Sequence, residues 1–131
     1  MDAAPQFYLP RQQEGHQKVK MKPIFFEDSL VPKILSFFAP ITINAIAIFP
    51  FVFCRGKISE ATKRHETIHF QQQLETLVIG FYLIYFYDYL KARIKGKAGR
   101  ESYFEIRAEV EAYENELDVD YLENRKRWNW L

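Results

Sequence analysis

His65 and His69 stand four positions apart in "RHETIHFQQQLE", from Arg64 to Glu75, and Glu66 directly follows the first. On a helix, side chains at i and i+4 share a face, so both imidazoles can reach one metal ion. Zinc takes such nitrogens at about 2.0–2.1 Å. Glu66 points about 100° further round the helix axis, where it can reach a water on the metal without ligating it. The pattern is H-E-x-x-H, with Glu66 in the place of a general base. The bland alternative is a solvated polar face. Chance alone puts the motif in about one chain in two hundred of this composition, so its surroundings have to decide between the two.

Two histidines rarely hold a catalytic zinc alone; three protein ligands and a water are usual. The remaining histidine, His16, lies far off in a Pro- and Gly-punctuated segment, so a carboxylate is expected as third ligand. "SYFEIRAEVEAYENE", from Ser102 to Glu116, supplies several. Read as one helix, its apolar stripe is Tyr103, Ile106, Val110, Tyr113 and Leu117, at spacings of three and four. Glu109 falls about 80° from the stripe centre, whereas Glu105 and Glu111 fall about 120° away on opposite sides. Glu109 is therefore best placed to point inward. Glu105, Glu111 and Glu114 are expected on the solvated face.

"HETIHFQQ" followed some forty residues later by "YFEIRAEVEAYENE" resembles the small gluzincin-like zinc peptidases, the minigluzincins and their short relatives. In these, H-E-x-x-H is often followed by x-x-Q, and a later helix carries an E-x-E-A-Y-like motif. His65, Glu66, His69 and Gln72 match the first motif. Glu109, Glu111, Ala112 and Tyr113 match the second, which is much less specific. The resemblance covers roughly residues 40 to 120. It implies zinc held by His65, His69 and Glu109, and Glu66 as general base in hydrolysis of a peptide or protein substrate. Gln72 or Gln73 could orient a histidine, and either could equally be a surface glutamine. Tyr103 is a candidate oxyanion donor because it shares the expected ligand helix; the competing reading places it in the core.

The elements that must position these groups follow from spacing and breakers. The first 24 residues read as an irregular arm, punctuated by Pro5, Pro10 and Gly15, and residues 25–131 as one domain, which the resemblance implies is metallopeptidase-like. A short helix is expected from near Ser29 to Pro40. Ile41, Ile43, Ala45 and Ala47 alternate with Thr42 and Asn44 as in a strand, and Phe51 to Cys54 reads as a second extended piece after a bend at Pro50. Ser59 can cap the motif helix, with Glu60 in its first turn. An unbroken helix from Glu60 to Arg93 would reach about 50 Å, too long for this chain, so a break is expected near Gly80. The apolar "FYLIYFYDYLKAR", a basic loop "KGKAGR", the acidic helix and a short final helix complete the chain. The expected fold class is α+β, mainly α, with the motif helix beside a small β-hairpin or edge strands.

The chain has 131 residues and a formal net charge of +1, so it suits one domain and lacks the basic excess of a nucleic-acid binder. A domain this small is expected to offer only a shallow cleft. Cys54 is the only cysteine, which fits a reducing, cytoplasmic compartment. The N-terminus carries no secretory signal pattern. Ile34 to Cys54 has the length to cross a bilayer, but Pro40, Pro50 and Asn44 interrupt it, and buried strands are the expected reading. The many aromatics leave peripheral membrane contact and self-association as partner expectations. The competing reading of the whole chain is a metal-binding or membrane-associated helical protein without activity.

Overall fold

The computed structural model describes residues 21–131. The expected arm therefore lies outside the described residues up to residue 20. Its expected boundary at residue 24 is too late, because Ile24 already opens a strand. The elements run β1 (Ile24–Phe26), α1 (Val31–Phe38), β2 (Ala45–Ile48), β3 (Phe51–Cys54), α2 (Glu60–Glu75), α3 (Ile79–Ile94), α4 (Gly99–Phe104), α5 (Arg107–Asn115) and α6 (Tyr121–Asn124). The fold is α+β and mainly helical, as the spacing predicts.

The sheet order is β1-β3-β2. β2 and β3 form an antiparallel hairpin pairing Ala45 with Cys54 and Ile48 with Phe51. β1 runs parallel to β3 on its other edge. Pro50 sits in the tight turn of the hairpin, where no amide hydrogen is asked of it, and its carbonyl accepts the Ile24 amide at 3.0 Å. The strand expected from Ile41 begins only at Ala45. Ile43 is held elsewhere, its amide donating to Ser36 Oγ at 2.8 Å and its carbonyl accepting from Arg55 Nε at 3.1 Å, while the Asn44 carbonyl still accepts the Arg55 amide at 2.7 Å beyond the end of the strand. Nor is the whole Ile34–Cys54 run buried strand. Its first part is α1, which exposes Phe37 and Phe38 at 86% and 81%.

α2 starts where Ser59 Oγ accepts the Thr62 amide at 3.1 Å. It packs against β2 and against α5. It ends at Thr76, and the chain turns through Leu77 and Val78, both in the left-handed region at φ 54° and 64°. The break thus precedes Gly80, which lies inside the first turn of α3. A Cβ on Gly80 would meet the Thr76 Cβ at 3.0 Å, so glycine there permits the close return of α3 onto the end of α2. The acidic segment is two helices, not one. They part at Glu105–Ile106, and α5 is capped from another element: the Arg107 amide donates to Asp88 Oδ2 of α3 at 3.1 Å.

Two apolar clusters support this frame. Ala47, Val52 and Cys54 pack under the sheet, while Phe81, Ile106, Ala108 and Trp130 join α3, α5 and the C-terminal tail. The tail is fixed by Arg125, whose side chain is 4% exposed. It donates to Glu75 at 2.7 and 3.2 Å and also pairs with Glu111. Among the described residues no helix is long and apolar enough to cross a membrane.

Candidate metal centre

α2 and α5 pack face to face, and three side chains meet between them. His65 Nε2 lies 3.1 Å from His69 Nε2 and 3.1 Å from Glu109 Oε2, and His69 Nε2 lies 3.1 Å from Glu109 Oε1. All three residues are buried, at 6%, 4% and 4% exposure. Donor atoms on a tetrahedron with bonds of about 2.0–2.1 Å lie about 3.3–3.4 Å apart. The spacing of this triad is close to that.

The outer nitrogens decide which way the lone pairs face. His65 Nδ1 lies 2.8 Å from Glu116 Oε2, an atom that can only accept, so Nδ1 carries the hydrogen. His69 Nδ1 lies 2.8 Å from Gln72 Oε1. The amide of Gln72 is oriented by its other end: Nε2 donates to the Ala108 carbonyl at 3.0 Å, so Oε1 must face His69 and accept from it. In both neutral imidazoles the Nε2 lone pair then points at the other ring and at Glu109. Three electron-pair donors converge with no hydrogen of their own between them. Such a cluster needs a positive charge, whether a proton or a metal ion. Without a metal, protons take that part. Burial opposes a charge on His69, but Glu109 beside it outweighs burial and lifts the imidazole to about 9. Burial likewise favours neutral Glu109, yet the His69 and His65 rings hold its carboxyl below the usual range. His65, His69 and Glu109 could therefore hold a divalent cation.

Glu66 stands apart from the other buried acids. Glu109 bonds His65 and Tyr85, and Glu75 and Glu111 both pair with Arg125. Glu66 is 6% exposed, lines the cavity over the triad and has no hydrogen-bond partner among the described residues. Burial raises its pKa, against the pull of the two histidines. A buried carboxylate with free lone pairs beside a cation site is chemically a proton acceptor.

The cavity holds about 560 Å³, more than the shallow cleft expected of so short a chain. One wall is the segment from Pro40 through β2, and the other is Tyr82, Tyr85 and Tyr89 of α3 with Tyr103 and Tyr113. Its volume and mostly apolar lining suit a small ligand or a short stretch of peptide.

The candidates read from sequence separate clearly here. His65, Glu66, His69 and Glu109 are brought together. Gln72 touches His69, whereas Gln73 Nε2 bonds the Ala47 carbonyl and ties α2 to β2 instead. Tyr103 belongs to α4, not to the ligand helix; half-buried, it lines the cavity with its hydroxyl 3.1 Å from that of Tyr113. The expected apolar stripe of the acidic helix is corrected: Val110, Tyr113 and Leu117 are exposed at 37%, 41% and 81%. Ala108 and Ala112 face inward instead, and these small residues let α5 approach α2 closely. Glu111, expected in solvent, is buried against Arg125; Glu105 and Glu114 are exposed as expected. Three contributors were not legible: Glu116 behind His65, Tyr85 donating to Glu109 Oε1 at 2.8 Å, and Tyr113 edge-on to His65 at 4.5 Å. The E-A-Y stretch did hold Tyr113, but helical spacing assigned it to the core.

Comparison with protein-family models, with curated proteins and with solved structures finds no match to this chain.

Proposed function

We propose that this chain is a zinc-dependent peptidase of gluzincin-like type, with His65, His69 and Glu109 as metal ligands and Glu66 as general base. The reading rests on one observation above the rest: both imidazoles are tautomerically locked, by Glu116 and by Gln72, so that their free lone pairs converge with a carboxylate. Nitrogen, nitrogen and oxygen in a closed, buried set favour zinc over the hard oxygen-seeking cations.

When bound, zinc supplies Lewis acidity, which polarises a carbonyl and makes water a better nucleophile near neutral pH. The chain's own groups do the rest. Glu66 takes a proton at its carboxylate from the attacking water and returns it to the leaving amide nitrogen. Tyr85 holds Glu109 through Oε1 and so limits how the carboxylate can turn. The tyrosine-rich walls exclude water around the scissile bond and strengthen each of these interactions. The H-E-x-x-H helix beside a hairpin, with the third ligand on a later helix, supports the resemblance to minimal gluzincins.

The test is a pair of measurements on one variant. Glu66→Gln should bind zinc as the parent chain does and lose peptide hydrolysis by about 10²–10⁴-fold. Equal cleavage rates for the two proteins on a mixed peptide library would overturn the assignment of Glu66. Bound zinc with no cleavage by either would leave a metal-binding protein and overturn the peptidase reading.

A further inference from the structure

α3 has two faces, and the metal centre uses only one of them. Phe81, Tyr85 and Ala92 turn inward. On the opposite side Ile79, Leu83, Phe86, Tyr87, Leu90 and Ile94 are all exposed, between 40% and 85%. At about 100° per residue these six fall within about 100° of arc, a continuous apolar stripe some 24 Å long over the sixteen residues of α3. Soluble monomers rarely leave such a stripe bare.

The charges beside the stripe say what it fits. The only acid in α3 is Asp88, which faces away from the stripe and is bound by Arg107 at 2.9 and 3.0 Å. The cations Lys91 and Arg93 flank the apolar arc on either side in the last turn, and Lys95 follows immediately; all three are exposed. The stripe is thus bordered by positive charge and by no negative charge of its own helix. A second copy of α3 would bring the same cations and no carboxylate to meet them. An anionic lipid surface supplies both an apolar interior and the opposite charge.

We infer that α3 lies flat on an anionic membrane surface, its apolar stripe at the acyl boundary and Lys91, Arg93 and Lys95 among the headgroups. The helix does not cross the bilayer; it is an in-plane anchor whose inner face carries Tyr85 to the metal centre. The inference does not depend on that centre's activity.

Co-sedimentation of the full chain with lipid vesicles tests it. The chain should pellet with vesicles of mixed phosphatidylserine and phosphatidylcholine, and much less with phosphatidylcholine alone. Raising the salt should weaken the binding. Lys91→Ala with Lys95→Ala should lower the partition coefficient on the order of 25-fold, about fivefold for each cation near the surface. Leu83→Glu with Phe86→Glu should abolish binding while the circular dichroism spectrum and melting midpoint stay as in the parent, because both side chains are already in solvent. Three results would overturn the inference: no pelleting with anionic vesicles, equal binding to neutral ones, or a dimer in sedimentation equilibrium that the Glu variants split while vesicles leave it untouched.

Discussion

Gln72→Leu should weaken zinc binding and destabilise the fold together, and the two losses can be separated. Gln72 is fully buried, and its two shorter bonds have opposite sense: it accepts from His69 Nδ1 at 2.8 Å and donates to the Ala108 carbonyl at 3.0 Å. Leucine matches it in bulk and makes neither. Loss of an outer partner to a metal-binding histidine costs about 10–100-fold in metal affinity. The Ala108 carbonyl is left buried without its donor, which costs about 1–3 kcal/mol. At about 2.1 cal/mol/K per residue, 131 residues give an unfolding entropy of about 0.28 kcal/mol/K, so 2 kcal/mol is about 7 °C in Tm. Gln72→Glu is the paired control. It keeps an acceptor for His69 but has no donor for Ala108, and it sets a carboxylate beside Glu111, which Gln72 Nε2 now meets at 3.4 Å. Its Tm should fall while its zinc affinity does not. Competition against a chromogenic chelator and thermal melting of the metal-free proteins read the two effects. A folded Gln72→Leu protein that binds zinc within threefold of the parent would show that His69 is not oriented this way.

The same structure predicts three further stability effects. Arg125→Ala should cost about 3–5 kcal/mol, or about 11–18 °C, because it strands Glu75 and Glu111 as buried unpaired acids. Arg107→Ala removes a pair whose arginine is 47% exposed, and Asp88, itself 9% exposed, keeps the residue-107 amide as donor; the cost should be about 1 kcal/mol, and a loss equal to that of Arg125→Ala would contradict the burial argument. Ser59→Ala should lower Tm by about 4 °C through loss of the α2 cap, checked by calorimetry, with no change in zinc affinity.

Where sequence and structure agree, the signal was local. Ser59 before Glu60 marks a helix start by side-chain chemistry alone, and the i, i+4 histidines share a face on any helix. Where they part, the cause is a partner distant in sequence. Leu77 and Val78 take positive φ with nothing in "ETLVIG" to announce it, since neither residue favours that region. The break before α5 depends on Asp88, nineteen positions earlier, capping Arg107. Glu111 is buried because Arg125, fourteen residues on, meets it. Glu109 faces inward as the helical wheel predicted, with the buried Ala108 and Ala112 beside it and Tyr113, one turn on, against the same His65 ring, while Leu117 turns to solvent. Glu116 follows Glu109 by seven residues and so shares its face, but no local signal says that this face meets an imidazole; it reaches His65 because α2 and α5 pack.

Zinc content of the purified chain and of Glu109→Ala, after identical reconstitution and exhaustive buffer exchange, tests the metal centre most directly. The parent should keep about one zinc per chain, and the folded variant should keep well under half of that. Parent protein that emerges without metal, or a variant that holds zinc as fully as the parent, would contradict a site closed by Glu109.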